Sequence, residues 1–168
     1  AASKTNEPTA LEALTRAREG RAMWKDFPGF SATLTVTDGG NQVTGNATID
    51  ANGTVELDMP KSPSTDWVEE QLNSLVQHRM PDGDVAQGQV TYPDQDTSHP
   101  LGRKIDLGDP SLQSAYRLKD DVIMEVNRLM GPMRFTISVL EIVRNAEGKY
   151  LPRSFTMNFF DAKSGDLR

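Results

Sequence analysis

The sequence predicts an α+β fold: a strongly curved antiparallel sheet, a half-barrel, covered by an N-terminal helix and an inserted helix. Three observations predict it. Apolar and polar residues alternate on both sides of Gly-containing turns in two long stretches, Phe30–Met59 and Pro132–Phe159, which is hairpin patterning. A helical apolar stripe over Trp67–Met80 interrupts that strand order. The alternation also slips phase within the last hairpin, as a bulge in a sharply bent sheet would make it do.

Taken in order, Thr9-Ala10-Leu11-Glu12 has the spacing of a capping box, and Leu11, Leu14, Ala17 and Ala22 follow at near-helical intervals. This predicts a first helix over Thr9–Trp24, preceded by a flexible tail over residues 1–8. Pro28 and Gly29 forbid its continuation, and the aromatic link Trp24–Phe30 has reason to dock on the body of the protein. Phe30, Ala32, Leu34 and Val36 then alternate with polar residues up to the turn Asp38-Gly39-Gly40-Asn41. Val43, Ala47 and Ile49 continue on the return strand, and after Asp50–Gly53 a third strand carries Val55, Leu57 and Met59. Pro60 and Pro63 stop this meander. From Ser64 or Asp66 a helix places Val68, Leu72, Leu75, Val76 and Met80 on one stripe. Beyond the turn Pro81–Asp84, short strands are expected near Val85–Tyr92, Arg103–Leu107, Leu112–Leu118 and Val122–Asn127, with an exposed polar loop at Pro93–Pro100.

The last hairpin turns at Asn145–Lys149 and carries Phe135, Ile137, Val139, Phe155, Met157 and Phe159 on one face. That is more aromatic and sulfur surface than a hairpin hides without a second layer. Leu140 and Ile142 fall out of phase with it, so either a bulge resets the register or that end is buried on both faces.

At 168 residues the chain matches a single half-barrel domain over residues 9–168, large enough to bury roughly 68–70% of its unfolded surface in one core. It has no cysteine, which excludes disulfides, thiolate metal sites and a cysteine nucleophile. A net charge of −6 argues against nucleic acid, whose affinity comes largely from phosphate neutralisation, and against anionic lipid surfaces. Arg16, Arg18, Arg21 and Lys25 alternate with acidic residues and read as a solvated helix face. No apolar run approaches the roughly 20 residues of a membrane span. The small, polar opening Ala1–Asn6 fits an exported protein after removal of a signal peptide, with a cytoplasmic location as the alternative.

No motif names a reaction. His78 ends a helix, where a cation favours the last carbonyls, and His99 stands beside Asp94, Asp96 and Ser98 in an imperfect echo of a calcium loop. Asp106, Asp109, Asp120 and Asp121 are better explained by turn chemistry than as paired acid–base carboxylates. Asn46-Ala47-Thr48 and Asn52-Gly53-Thr54 fit the N-glycosylation pattern. The methionines lack metal-binding clustering and read as adaptable core or cavity lining. An enzyme would draw by residue type on His78, Arg128 and Arg134, but the sequence calls for no catalytic residue, metal or cofactor.

What remains is the apolar surface, which either seals a core or encloses a hydrophobic ligand. In the second case the lining is Trp24, Phe27, Phe30 and Leu34 from the link and first strand, with Trp67, Leu72 and Leu75 from the inserted helix. Met124, Met133, Phe135, Phe155 and Met157 supply it from the long strands. The expected activity is noncatalytic binding or carriage of a lipid, acyl chain or pigment. The alternative is an interaction module with a filled core and a protein partner.

The runs Ala17–Trp24, Phe27–Phe30, His78-Arg79 and above all Val126-Asn127-Arg128-Leu129-Met130-Gly131-Pro132-Met133-Arg134-Phe135-Thr136-Ile137 also resemble an uncharacterised bacterial domain family common in cyanobacteria. That resemblance covers nearly the whole chain and implies no activity or cofactor. The order of elements is similar to the periplasmic lipoprotein-carrier half-barrel, a likeness of layout that implies an apolar ligand by analogy.

Overall fold

The computed structural model describes residues 7–81 and 88–168. The expected tail at residues 1–6, the turn at 82–84 and the strand start at 85–87 lie outside the described residues. The elements are α1 (Ala10–Glu19), β1 (Phe30–Asp38), β2 (Asn41–Ile49), β3 (Val55–Asp58), α2 (Pro63–Gln77), β4 (Arg103–Asp106), β5 (Ala115–Lys119), β6 (Val122–Met130), β7 (Met133–Arg144) and β8 (Tyr150–Asp161). This is the predicted α+β class. The strands form two open antiparallel sheets, β1-β2-β3 and β4-β5-β6-β7-β8. The described residues divide into two compact units, one of residues 7–22 with 88–168 and one of residues 23–81. Where length predicts one core, each unit holds its own cluster of buried residues.

In the larger unit α1 starts as predicted. Thr9 accepts from the Glu12 N–H at 3.2 Å and Glu12 accepts from the Thr9 N–H at 2.9 Å, closing the capping box. It ends at Glu19 rather than Trp24, because the chain beyond leaves helical pairing for a bridge. The Tyr150 N–H donates to the Gly20 carbonyl and the Ala22 N–H to the Tyr150 carbonyl, both at 2.9 Å. Ala10, Leu14 and Ala17 pack on Ile105, Leu107, Tyr116 and Leu118. Glu7 and Pro8, read from sequence as the end of a flexible tail, are held. Tyr92 Oη donates to the Pro8 carbonyl at 2.7 Å and Arg103 pairs with Glu7 at 2.9 Å.

The strand expected over Val85–Tyr92 is reduced, among described residues, to one bridge between Thr91 and Asp106. That expected from Leu112 begins only at Ala115, because the Asp109 carboxylate takes the N–H groups of Ser111 and Leu112 and Gln113 turns to a positive φ of 44°. The residues of the expected apolar face pair with one another in the long hairpin, with Phe135 opposite Phe159, Ile137 opposite Met157 and Val139 opposite Phe155. Its phase slip is a paired irregularity: Leu140 is skipped on β7 between Val139 and Glu141, and Arg153 on β8 between Ser154 and Pro152.

In the smaller unit the two-residue turn Gly39-Gly40, with φ of 53° and 98°, joins Asp38 to Asn41 as the Gly-Gly pair predicts. Helix α2 begins at Pro63, one residue before the earliest predicted start. The meander ends at Asp58, before Pro60, and Pro63 is instead the first helical residue, behind a Ser62 cap whose side chain accepts from Thr65 N–H at 3.2 Å. The helix stops at Gln77 rather than Met80 because its last turn tightens to three-residue bonds, Arg79 N–H to Val76 O and Met80 N–H to Gln77 O. Ala47, Ile49 and Val76 form the centre of this unit's core.

Candidate functional site

Directly opposed residues of an antiparallel pair share a face, so the register of the five-stranded sheet defines rows across it. One row runs Ile105–Tyr116–Val126–Ile137–Met157 through all five strands. Its two ends differ. Ile105 and Tyr116 are 0% and 4% exposed beneath α1, whereas Val126, Ile137 and Met157 are only half-buried. The neighbouring row, Arg128–Phe135–Phe159, is also half-buried, with the two phenyl rings 6.3 Å apart. Phe155, opposite the buried Val139, is 43% exposed. An apolar face therefore continues from the core onto β6–β8, where much of it meets solvent. Tyr116 is tied locally: the Arg128 guanidinium donates to its Oη at 2.5 Å and lies over its ring.

The ligand residues expected from sequence fall into two sets. Phe135, Phe155 and Met157 lie on this face. Met133 shares the phase of Phe135 near the strand's end, and Met124 is the unpaired residue where pairing shifts from Arg117–Glu125 to Leu118–Ile123. In the smaller unit Trp24 stacks at 4.6 Å from Phe27 and 6.1 Å from Phe30, and its indole N–H donates to the Val76 carbonyl at 3.2 Å. Phe27, Phe30, Leu34 and Leu72 pack on Ala47, Ile49 and Val76, so they serve that unit's core. Trp67 and Leu75 point away from it, 44% and 37% exposed.

The opposite face of the five-stranded sheet is polar; of its groove the sequence singles out only Arg134, as a residue an enzyme would draw on, and Asp106 and Asp109, as turn carboxylates. Lys104 lies opposite Arg117, and Arg117 opposite Glu125. With Asp106, Asn127, Gln113 and Arg134 they line a groove of about 730 Å³. Arg117 pairs with Glu125 at 3.6 Å. Arg134 donates to Asn127 Oδ1 at 2.7 Å and Gln113 Oε1 at 2.9 Å. The available signal was the outward phase of Lys104, Arg117 and Glu125, but register alone brings them side by side. A second groove, in the smaller unit, is lined by Asp66, Glu69, Glu70 and Asn73 of α2 and by the β3 turn.

The remaining candidates resolve into turn chemistry. Asp96 accepts from the Ser98 hydroxyl and N–H, and Asp109 from the same groups of Ser111, and each serine holds its carboxyl below the usual range. Asp120 and Asp121, at φ of 51° and 60°, form the β5–β6 turn. His99 Nδ1 accepts from the Leu101 N–H, and His78 is the C-terminal cap of α2. Among the described residues no three His, Asp or Glu are grouped to hold a metal ion, and no helix is long and apolar enough to cross a membrane.

The model of one family, described as a protein of unknown function (DUF3386), matches residues 5–168. The chain belongs to this family. The DUF3386 match spans both units, so the apolar face, the aromatic cluster and the polar groove all lie within it. Comparison with curated proteins and with solved structures gives no match.

Proposed function

We propose that this DUF3386 protein is a noncatalytic binding or carrier protein for a hydrophobic ligand such as a lipid, acyl chain or pigment. The observation that carries the reading is the half-covered apolar face of β6–β8. Phe135, Ile137, Met157 and Phe159 retain solvent contact there in direct continuation of the buried Ile105 and Tyr116, and Phe155 is 43% exposed. Contiguous apolar surface of this kind on a folded chain favours a bound partner, since covering it removes about 25 cal/mol per Å² of unfavourable hydration. Met157, Met133 and Met124 suit ligands of variable shape because thioethers repack. The layout likeness to lipoprotein carriers supports the same reading by analogy.

Protein purified from its native host and examined by native mass spectrometry is expected to carry a noncovalent mass that solvent extraction identifies. The stripped protein should bind a hydrophobic dye saturably, and Met157→Trp should abolish that binding by filling the face. A clean apo mass together with no saturable dye binding would overturn the carrier reading. It would favour an interaction module whose partner docks on the aromatic link Trp24–Phe30 or on a sheet edge.

A further inference from the structure

We propose that the polar groove on the outer face of β4–β7 is a binding site for a small polar molecule bearing a carboxylate or phosphate group, and that Arg134 takes that group. This site is separate from the apolar face and does not rest on the carrier reading.

The argument begins with how Arg134 is held. Its Nη1 and Nη2 each donate once, to Asn127 Oδ1 and Gln113 Oε1. Both acceptors are neutral amides, and among the described residues no carboxylate pairs with it. Two of its five donors are thus used to fix the plane of the fork, while its full charge and its other donors stay available. A guanidinium oriented without being neutralised is the arrangement that recognises a two-oxygen anion. Gln113 presents its side chain to Arg134 from a left-handed φ of 44°, a conformation disfavoured for a non-glycine residue.

The second observation comes from the other end of the groove. Lys104 and Arg117 are directly opposed like charges on one face, a pairing that destabilises a sheet. Glu125 offsets Arg117, but among the described residues no carboxylate pairs with Lys104. The acidic side chains that line the groove with them keep their charge: Asp109 accepts from Ser111 and Leu112 and Asp106 from the Gly108 N–H, all neutral donors, while Glu125 faces Arg117. Arg134 and Lys104 are the cations of this concavity of about 730 Å³ with which, among the described residues, no carboxylate pairs. An anionic ligand satisfies the fork and relieves the opposed cations.

The test is an NMR titration of the full chain with inorganic phosphate and, separately, with succinate, at constant ionic strength. The Arg134 Nε–H and the side-chain amides of Asn127 and Gln113 should shift together and saturate with at least one of the two anions. Saturation with phosphate alone assigns a phosphate group, and saturation with succinate alone assigns a carboxylate. Arg134→Lys keeps the charge but loses the planar fork, and should weaken binding about ten- to a hundredfold. Lys61→Gln, an exposed change in the other unit, should leave it unchanged. Linear, unsaturated shifts with both anions would overturn the proposal, as would saturable shifts confined to other lysines and arginines. The wild-type titration decides the matter even if Arg134→Lys fails to fold.

Discussion

The Tyr150 hydroxyl donates to the Ala17 carbonyl at 2.8 Å, joining the first residue of β8 to the last turn of α1. A helix leaves its final carbonyls without intrahelical donors. Here a phenol from 133 positions further along the chain supplies one, and it also accepts from the Ile123 N–H at 3.2 Å. Tyr150 is 3% exposed, so water does not compete for either bond. Replacing it by Phe keeps the ring and strands two buried polar groups. Tyr150→Phe is expected to cost about 1–3 kcal/mol in chemical denaturation, with α1 losing hydrogen-exchange protection first. An unchanged midpoint would show that the hydroxyl contributes no stability.

Asp161 carries the pH prediction. The Ser164 N–H, the Arg168 side chain and the Lys163 N–H all donate to its carboxylate and lower its pKa from 3.8 to about 2. The folded value lies below the unfolded one, so the unfolded chain binds the proton more tightly. The stabilisation is complete above the ordinary value near 3.8 and is lost as pH falls through about 2. The Asp161 carboxyl carbon should titrate near 2 by NMR, and Arg168→Ala should move that midpoint upward. A midpoint at the ordinary value would contradict the hydrogen bonding described.

The β5–β6 turn holds two non-glycine residues, Asp120 and Asp121, at positive φ. Each such residue bears a steric cost of about 1 kcal/mol that glycine avoids and asparagine reduces. The double change Asp120→Asn with Asp121→Gly should raise the melting temperature by a few degrees, equivalent to about 1 kcal/mol. A fall would mean that the carboxylates make turn contacts worth more than the strain.

Phe155 and Val139 face each other yet differ in exposure, 43% against 5%. Val139→Ala should cost about 2 kcal/mol by opening the core, and Phe155→Ser less than about 1 kcal/mol. If the apolar face takes a ligand, Phe155→Ser should nonetheless weaken hydrophobic-dye binding in a titration. Equal stability losses and unaltered dye binding would mark Phe155 as ordinary core.

Much of the fold was legible because its signals are short-range. Thr9 and Glu12 stand three residues apart, Gly39-Gly40 sits between two alternating runs, and Leu140 breaks the phase within a single strand. Departures came from contacts, distant or near, that displaced a local preference. Helix α1 stops at Gly20 because Tyr150 claims the next backbone groups, and Leu112 leaves strand geometry because Asp109 captures its N–H. Gly45 shows the same limit. Its own neighbours do not mark it, yet a Cβ there would lie 2.3 Å from Met59 Cγ and 2.4 Å from the Asp58 carbonyl, so the strand depends on its absence.

The candidate site divides in the same way. That Phe135, Ile137, Phe155, Met157 and Phe159 share one face follows from alternation alone, since a strand's side chains change sides at every residue. How far that face is covered does not follow, because cover depends on where α1 ends and on which rows its Ala10, Leu14 and Ala17 reach. Grouping Trp24, Phe27, Phe30 and Leu34 with the long strands as one lining was a judgement from residue type. The structure packs them with Leu72 around Val76, in a cluster of their own. Arg134 was visible as a charge, but its orientation comes from Asn127 across a strand pair and Gln113 across a turn. By itself the sequence determined the elements, their caps and turns and the apolar side of each strand, all of which arise from interactions between near neighbours. Only the tertiary structure decided which strands share a sheet, what each helix covers and which charges meet in a groove, because register and chain closure bring together residues that no local period relates.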